Sequence, residues 1–383
     1  MLKSKKYDLI IVGAGVTGTF CALHALGKKK SVLLIEKDDS PFDSSLRNMG
    51  HINPSAQSLT KWFDISRKSI QIYQNLQENF DLTYKSTGTW YVATNQQELT
   101  ILEELNALFR DRQYSCEIYT ASECIKLNPT LIRSNILGGL YFPNEGIVDA
   151  KEMIHRIRDY LIKDLDLHYK PNTTVIDVEK KRGIVKIITS HHDIIWSDHI
   201  IITGGQYTNL LLPDYYPTEL LQLCQSQIIK LYPQSQKPKT PSITTSSIKW
   251  LESSQSCPSV IAKNITREPQ AEMVKLTINQ IADGSVIIGE ALKFGSILNR
   301  STLGFEISMK ENMQLIDEAK TLFHLDNWQI EMTWNNTYLE YVGDGILTKT
   351  VDEVIHILAG MGQKSLSTAP AFTQSFINQL YQK

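Results

Sequence analysis

Near the N-terminus, Gly13-Ala14-Gly15-Val16-Thr17-Gly18 closes the apolar run Leu9-Ile10-Ile11-Val12, and Glu36 closes a second run, Val32-Leu33-Leu34-Ile35. That spacing can hold a dinucleotide. Gly13 lets the chain turn sharply at a strand end, Gly15 lets backbone approach a pyrophosphate, and Gly18 lets the next helix pack close on the strand. The helix that opens at Val16 and Thr17 points its N–H groups and positive dipole end at phosphate charge. Glu36 is placed to accept hydrogen bonds from a ribose 2′-hydroxyl and would repel a 2′-phosphate, which disfavours NADP. Glycine-rich turns also join strands to helices without a ligand, but strand, helix and acid together favour the nucleotide.

Two later segments repeat the logic. Ile200-Ile201-Ile202-Thr203-Gly204-Gly205 runs an apolar strand into paired glycines, where backbone can again lie against a nucleotide. Gly360-Met361-Gly362-Gln363-Lys364-Ser365 leads from a strand over 354–358 towards a helix over 370–380, so it too can face the cofactor.

The elements that must position these turns follow from periodicity. Residues 9–12 form a buried parallel strand, residues 16–26 a helix, and residues 61–79 and 96–112 amphipathic helices. A strand is expected over 82–94, bent at Gly88, and a short helix from Ser122 ends at Asn128-Pro129. Asp149 caps a helix through Met153, Ile157 and Leu161, and short strands follow near 174–178 and 184–189. From about 212 to 325, Pro213, Pro217, Pro233, Pro238, Pro241, Pro258 and Pro269 separate short strand-like runs. Within them, Asp283-Gly284 is a turn signal between alternating segments.

Composition narrows the class. A chain of 383 residues with 42% hydrophobic content can bury the cores of roughly two domains. Lys and Arg number 39 against 41 Asp and Glu, and the short runs Lys28-Lys29-Lys30 and Lys180-Lys181-Arg182 suit solvated loops, so a nucleic-acid partner is not expected. The 5 cysteines lack C-x-x-C spacing, which argues against disulfides and a metal site. Lys3, Lys5 and Lys6 before an apolar run imitate a secretory signal, but the glycine pattern explains that run better. No segment approaches the roughly 20 apolar residues that span a bilayer, and the expected location is the cytoplasm.

In order, these elements resemble the FAD-dependent amine and amino-acid oxidoreductases of the D-amino-acid oxidase superfamily, the group containing glycine oxidase and sarcosine oxidase. The resemblance covers nearly the whole chain. It rests on the first fingerprint with Glu36, on Ser44-Ser45-Leu46-Arg47-Asn48-Met49-Gly50, Gly146-Ile147-Val148-Asp149 and Ile201-Ile202-Thr203-Gly204-Gly205, and on Gly360-Met361-Gly362-Gln363-Lys364. It implies an α/β fold, in which a doubly wound, Rossmann-like FAD-binding domain is interleaved with a sheet-rich mixed α+β substrate domain. The FAD-binding parts would be residues 1–80, 141–211 and 326–383, and the substrate parts 81–140 and 212–325. Cofactor contacts would come from Gly13, Gly15, Val16, Thr17, Gly18, Glu36 and Lys37 and from Ser45, Arg47, Asn48, Gly50 and His51 beside the isoalloxazine. Val175 would meet the adenine, Gly204 and Gly205 the nucleotide, and Gly360, Gly362, Gln363, Lys364 and Ser365 the pyrimidine end.

The implied activity oxidises the C–N bond of a small amine or amino acid, with O2 or another acceptor re-oxidising the flavin. Lys364 stands where sarcosine-oxidase-like members carry a cation near developing flavin charge. His51 is a second catalytic candidate, as a hydrogen-bonding group or a proton acceptor, and Arg47 a third, as a receiver of a substrate anion. Arg267 and Arg300 are weaker choices for the anion. Because the C-terminal glycine stretch has no cysteine and His51 follows Gly50, non-covalent FAD is expected. Where the family carries a Trp and then a glycine- and proline-rich turn, this chain reads Trp334-Asn335-Asn336-Thr337-Tyr338, and Trp328, Trp334, Tyr338 and Tyr341 either wall an active site or fill a core. The open alternatives are an aminophosphonate substrate, a catalytically degenerate FAD-binding module, and a simple NAD-dependent dehydrogenase that gives the 360–362 glycines no role.

Overall fold

The computed structural model describes residues 6–235, 242–245, 248–263, 273–281, 283–343 and 345–382. Its first sheet is built around strand Lys6–Val12, which pairs in parallel with Val32–Ile35 on one side and Ile194–Ile202 on the other. Strand His168–Lys170 extends the parallel set beyond Val32–Ile35, and Ile355–Ala359 extends it beyond Ile194–Ile202. Antiparallel strands complete it, Leu347–Val351 at one edge and the hairpin Val175–Lys181 with Ile184–Thr189 off Ile194–Ile202. The strands at its centre are apolar on both faces, as a parallel sheet requires, because helices Val16–Gly27, Ala150–Asp164 and Ser365–Leu380 share a core with one side and the hairpin with the other.

The second sheet is almost wholly antiparallel, in the order Ile330–Tyr341, Leu221–Leu231, Val286–Ser296, Met273–Gln280, Ser242–Thr245, Thr89–Ala93, Gly138–Phe142 and Glu117–Thr120. A two-stranded ribbon, His51–Ile52 with Gly146–Ile147, belongs to neither large sheet.

Helix Lys61–Asn79 buries Trp62, Ile70, Tyr73 and Leu76, the stripe its spacing predicts. Asp149 caps Ala150–Asp164 by accepting from the backbone N–H of Lys151 and Glu152, each at 3.1 Å, an interaction worth about 1 kcal/mol.

Four expectations need correction. The strand over 82–94 shrinks to Thr89–Ala93, because before it only Lys85 bridges Ile147 and Gly88 N–H bonds the Glu145 carbonyl. The runs between the prolines are long, Leu221–Leu231 and Val286–Ser296 each having 11 residues, since hydrogen bonds to two neighbouring strands override local turn signals. The last helix starts at Ser365 and carries Pro370 inside it, where the Leu366 carbonyl that the missing N–H leaves free accepts from the Tyr73 hydroxyl at 2.8 Å. Strand Ile330–Tyr341, which a boundary at 326 assigns to the cofactor side, pairs along its length with Leu221–Leu231 in the second sheet.

Candidate active site

Parallel strands Lys6–Val12, Val32–Ile35, Ile194–Ile202 and Ile355–Ala359 end side by side. Each is followed by a segment that the sequence singled out, namely Gly13, Glu36, Thr203-Gly204-Gly205 and Gly360. Open parallel sheets receive ligands at this carboxyl edge, where helix N-termini and free backbone groups converge. All four segments line one cavity of about 550 Å3, together with Gly15, Val16, Thr17, Lys37, Ser45, Val175, Gly362 and Ser365.

Backbone proximity shapes its floor. Gly13 has φ +99°, and a Cβ there would lie 2.6 Å from the Thr203 carbonyl oxygen. A Cβ on Gly18 would lie 1.9 Å from the carbonyl oxygen of Gly13, so Gly18 holds the turn closed without lining the cavity. The Ser45 hydroxyl accepts from Val16 N–H at 3.0 Å and sits over the first helical turn. One carboxylate oxygen of Glu36 accepts from Ala14 N–H at 2.8 Å and the other from Asp38 N–H at 3.3 Å. Burial nevertheless pushes this carboxyl above its usual range, with Ala14 and Asp38 opposing the shift.

A second cavity, of about 380 Å3, meets the first at Gly360 and Met361, which line both. Asn48, His51, Gln363 and Lys364 reach this second space. The Lys364 ammonium pairs with Glu252 at 2.9 Å and lies 5.5 Å from the centroid of the Trp62 ring. Burial and then the charge of Lys275 push the His51 imidazolium down to about 3, so the ring is neutral at ordinary pH and suits hydrogen bonding better than proton uptake.

Arg47 reaches neither cavity. Its guanidinium donates to the Asn335 carbonyl at 3.2 Å and stacks over Phe42, while its own carbonyl accepts from the Trp334 indole N–H at 3.1 Å. Gly50 also lines neither space, because it wedges against Val148, whose carbonyl oxygen would lie 2.0 Å from a Cβ there. Arg300 is held by Gln206 and Asn209 over the Tyr207 ring, and Arg267 lies outside the described residues. Of the aromatic set, Tyr338 lines the first cavity and Tyr341 the second, while Trp328 packs with the core beside Lys320.

Sequence reasoning missed the second sheet's contribution to this space: Gln222, Lys275, Thr277, Glu290 and Glu340. The alternation of Lys275 and Thr277 with Val274, Leu276 and Ile278 was the available signal, since period-2 polar positions share one face. Glu290 gives no such signal, because it lies where the register shifts against both neighbouring strands. Among the described residues no cluster could hold a metal ion, and no helix is long and apolar enough to cross a membrane.

Comparison with known proteins places this geometry. The family model for FAD dependent oxidoreductases matches residues 8–374. A D-amino acid dehydrogenase of Helicobacter pylori is 23% identical over 292 residues, covering 62% of this chain and 69% of that protein. The fold is similar to that of a glycine oxidase from Bacillus cereus, with TM-score 0.79 and 17% identity over 98% of this chain and 94% of that one. It is also similar to an FAD-bound L-alpha-glycerophosphate oxidase from Mycoplasma pneumoniae, with TM-score 0.78 and 18% identity over 99% and 96% of the two chains.

The residues present fit the cofactor that this family uses. A floor with no room for a Cβ at Gly13 or Gly15 opens onto a helix N-terminus, a carboxylate borders the same cavity, and a second space adjoins it. From the extent of the family match and this arrangement, the chain belongs to the FAD dependent oxidoreductase family and is an FAD-dependent enzyme.

Proposed function

We propose that the enzyme oxidises the C–N bond of a small amine or amino acid, with FAD held non-covalently. The observation that carries this reading is the junction at Gly360 and Met361, where a cavity suited to a nucleotide opens into one walled by polar side chains of the second sheet. The names of the relatives, a D-amino acid dehydrogenase and a glycine oxidase, support an amino-containing substrate.

In this reading, Gly13, Gly15, Val16, Thr17 and Ser45 border the pyrophosphate, Glu36 and Lys37 the ribose, and Val175 the adenine. Gly204, Gly205, Gly362 and Ser365 complete that wall, and Gly18 and Gly50 act through the backbone they shape. When bound, FAD takes two electrons from the carbon that bears the nitrogen. Lys364, at the start of helix Ser365–Leu380, holds positive charge where negative charge develops, and Glu252 fixes its ammonium in place. Gln363, Asn48 and neutral His51 orient by hydrogen bonding. Cofactor-side segments 1–80, 141–211 and 326–383, less strand Ile330–Tyr341, make one unit, and 81–140 with 212–325 and that strand make the other.

The reading is tested by mixing purified yellow protein anaerobically with N-methylglycine, glycine, proline, D-alanine and aminoethylphosphonate. Loss of the visible flavin band with an amine supports it. Absence of bleaching across a broad amine panel overturns it in favour of a binding module. Admitting air to the reduced enzyme then separates an oxidase, which recovers colour quickly, from a dehydrogenase that needs another acceptor.

A further inference from the structure

The second cavity contains a buried carboxylate with too few donors. Glu290 is 8% exposed, and among the described residues its single donor is the Gln363 side-chain amide, at 2.7 Å. Strand Val286–Ser296 bulges here: Gly289 and Ala291 pair with Ile228 and Gln227 on one side and with Thr277 and Val274 on the other, leaving Glu290 outside both ladders. A bulge re-aims a side chain, and this one turns a glutamate into the cavity. Lys275 lies on the neighbouring strand, where the register shifts, half-buried and with no carboxylate at ion-pair distance among the described residues.

The lining carries Glu252, Glu290 and Glu340 against Lys275 and Lys364, and Glu252 already pairs with Lys364. Glu340 has a partner of its own, so among the described residues Glu290 and Lys275 are left as charges of opposite sign with no ion pair. Buried charge requires a partner of opposite sign. The nitrogen that is oxidised cannot be that partner, because it reacts through its lone pair and a carboxylate against it would favour the protonated, unreactive form.

We propose that the substrate is a diamino acid, whose second, unreacting ammonium is held by Glu290 and whose carboxylate is held by Lys275. The proposal rests on the amine-oxidising reading above. It disfavours aminophosphonates, whose extra negative charge would meet Glu290 and Glu340.

The test mixes FAD-loaded enzyme anaerobically with lysine and ornithine of both hands, D-alanine, N-methylglycine, 1,4-diaminobutane and aminoethylphosphonate. One of the diamino acids is expected to reduce the flavin with kcat/KM about 30-fold above that of every other compound, the value of one charge-assisted contact. Calorimetry of the same enzyme with α-methylornithine, which has no α-hydrogen to lose, should give tighter binding than with α-methylalanine. Glu290→Gln should bring both ratios close to one, mainly through KM, while the protein stays yellow. Equal or better reduction by D-alanine or N-methylglycine, or ratios unchanged in Glu290→Gln, overturns the proposal and leaves amine oxidation standing. If no amine bleaches the wild type, the amine reading itself fails, and equal calorimetric affinities would then independently remove the role of Glu290.

Discussion

The two cavities that meet at Gly360 are made in different ways. The first is made by backbone: glycines at the ends of parallel strands, a helix N-terminus, and one acid that follows a strand. The second is made by side chains that the antiparallel sheet delivers, from Gln222, Lys275, Thr277, Glu290 and Glu340 on four different strands, facing Asn48, His51 and Lys364. A backbone cradle accepts the same nucleotide whatever surrounds it, because N–H groups and a helix dipole read only phosphate charge. A side-chain wall can change its chemistry one residue at a time. The difference teaches where constancy and specificity reside in the function proposed: the cofactor is held at the sheet edge, and the substrate is selected on the face of the other sheet.

The strongest test of the backbone cradle is Gly18→Val. A side chain there would occupy the Gly13 carbonyl, so the turn must open. We expect colourless protein that does not take up added FAD. A yellow variant with normal FAD affinity would show that the cradle tolerates a displaced turn.

A second test lies beneath the side-chain wall. Asn53 lines the second cavity, and two residues on Ser55 donates its N–H to the Glu145 carboxylate at 2.7 Å and its hydroxyl at 2.9 Å. Burial pushes this carboxyl up to about 7, against the hydrogen bonds from Ser55, Thr89 and Tyr114. The folded state therefore holds the proton more tightly than the unfolded one, so stability from this group is fully present below the unfolded carboxyl pKa and is lost as pH rises to about 7. Comparing wild type with Glu145→Gln by urea unfolding across pH 4 to 8 should show the wild type losing about 3 kcal/mol relative to the variant. A pH-independent difference would mean that Glu145 ionises normally in the fold.

Lys364→Met separates the two devices. FAD should stay bound, because the cradle is intact, while anaerobic flavin reduction slows about 100-fold in stopped flow. Unchanged reduction would remove Lys364 from the chemistry and leave the second cavity to its other residues. The smallest expected effect belongs to Arg47→Met. Since Arg47 is occupied with Asn335 and Phe42, substrate KM should move by no more than about twofold. A large rise would return Arg47 to the substrate.

The contrast also accounts for what could be read in advance. Gly13, Gly15, Glu36, Gly204 and Gly360 were visible because each follows an apolar run and its type is dictated by the local turn. Helix Lys61–Asn79 and the cap at Asp149 were visible for the same reason, being set by residues within one or two turns. The contact of Arg47 with the Asn335 carbonyl could not be read in advance, because the two lie 288 residues apart. The pairing of strand Ile330–Tyr341 with Leu221–Leu231 could not be read either, because the two lie about a hundred residues apart.

By itself the sequence determined the nucleotide cradle, the family and the strand edge where the cofactor belongs, since these depend on glycine geometry and apolar spacing over short stretches. Only the tertiary structure decided which charges line the second cavity. Glu290 enters the cavity through a bulge between two strands, and Lys364 meets Glu252 across 112 residues. Such pairings depend on register and on long-range contact, which no local pattern encodes.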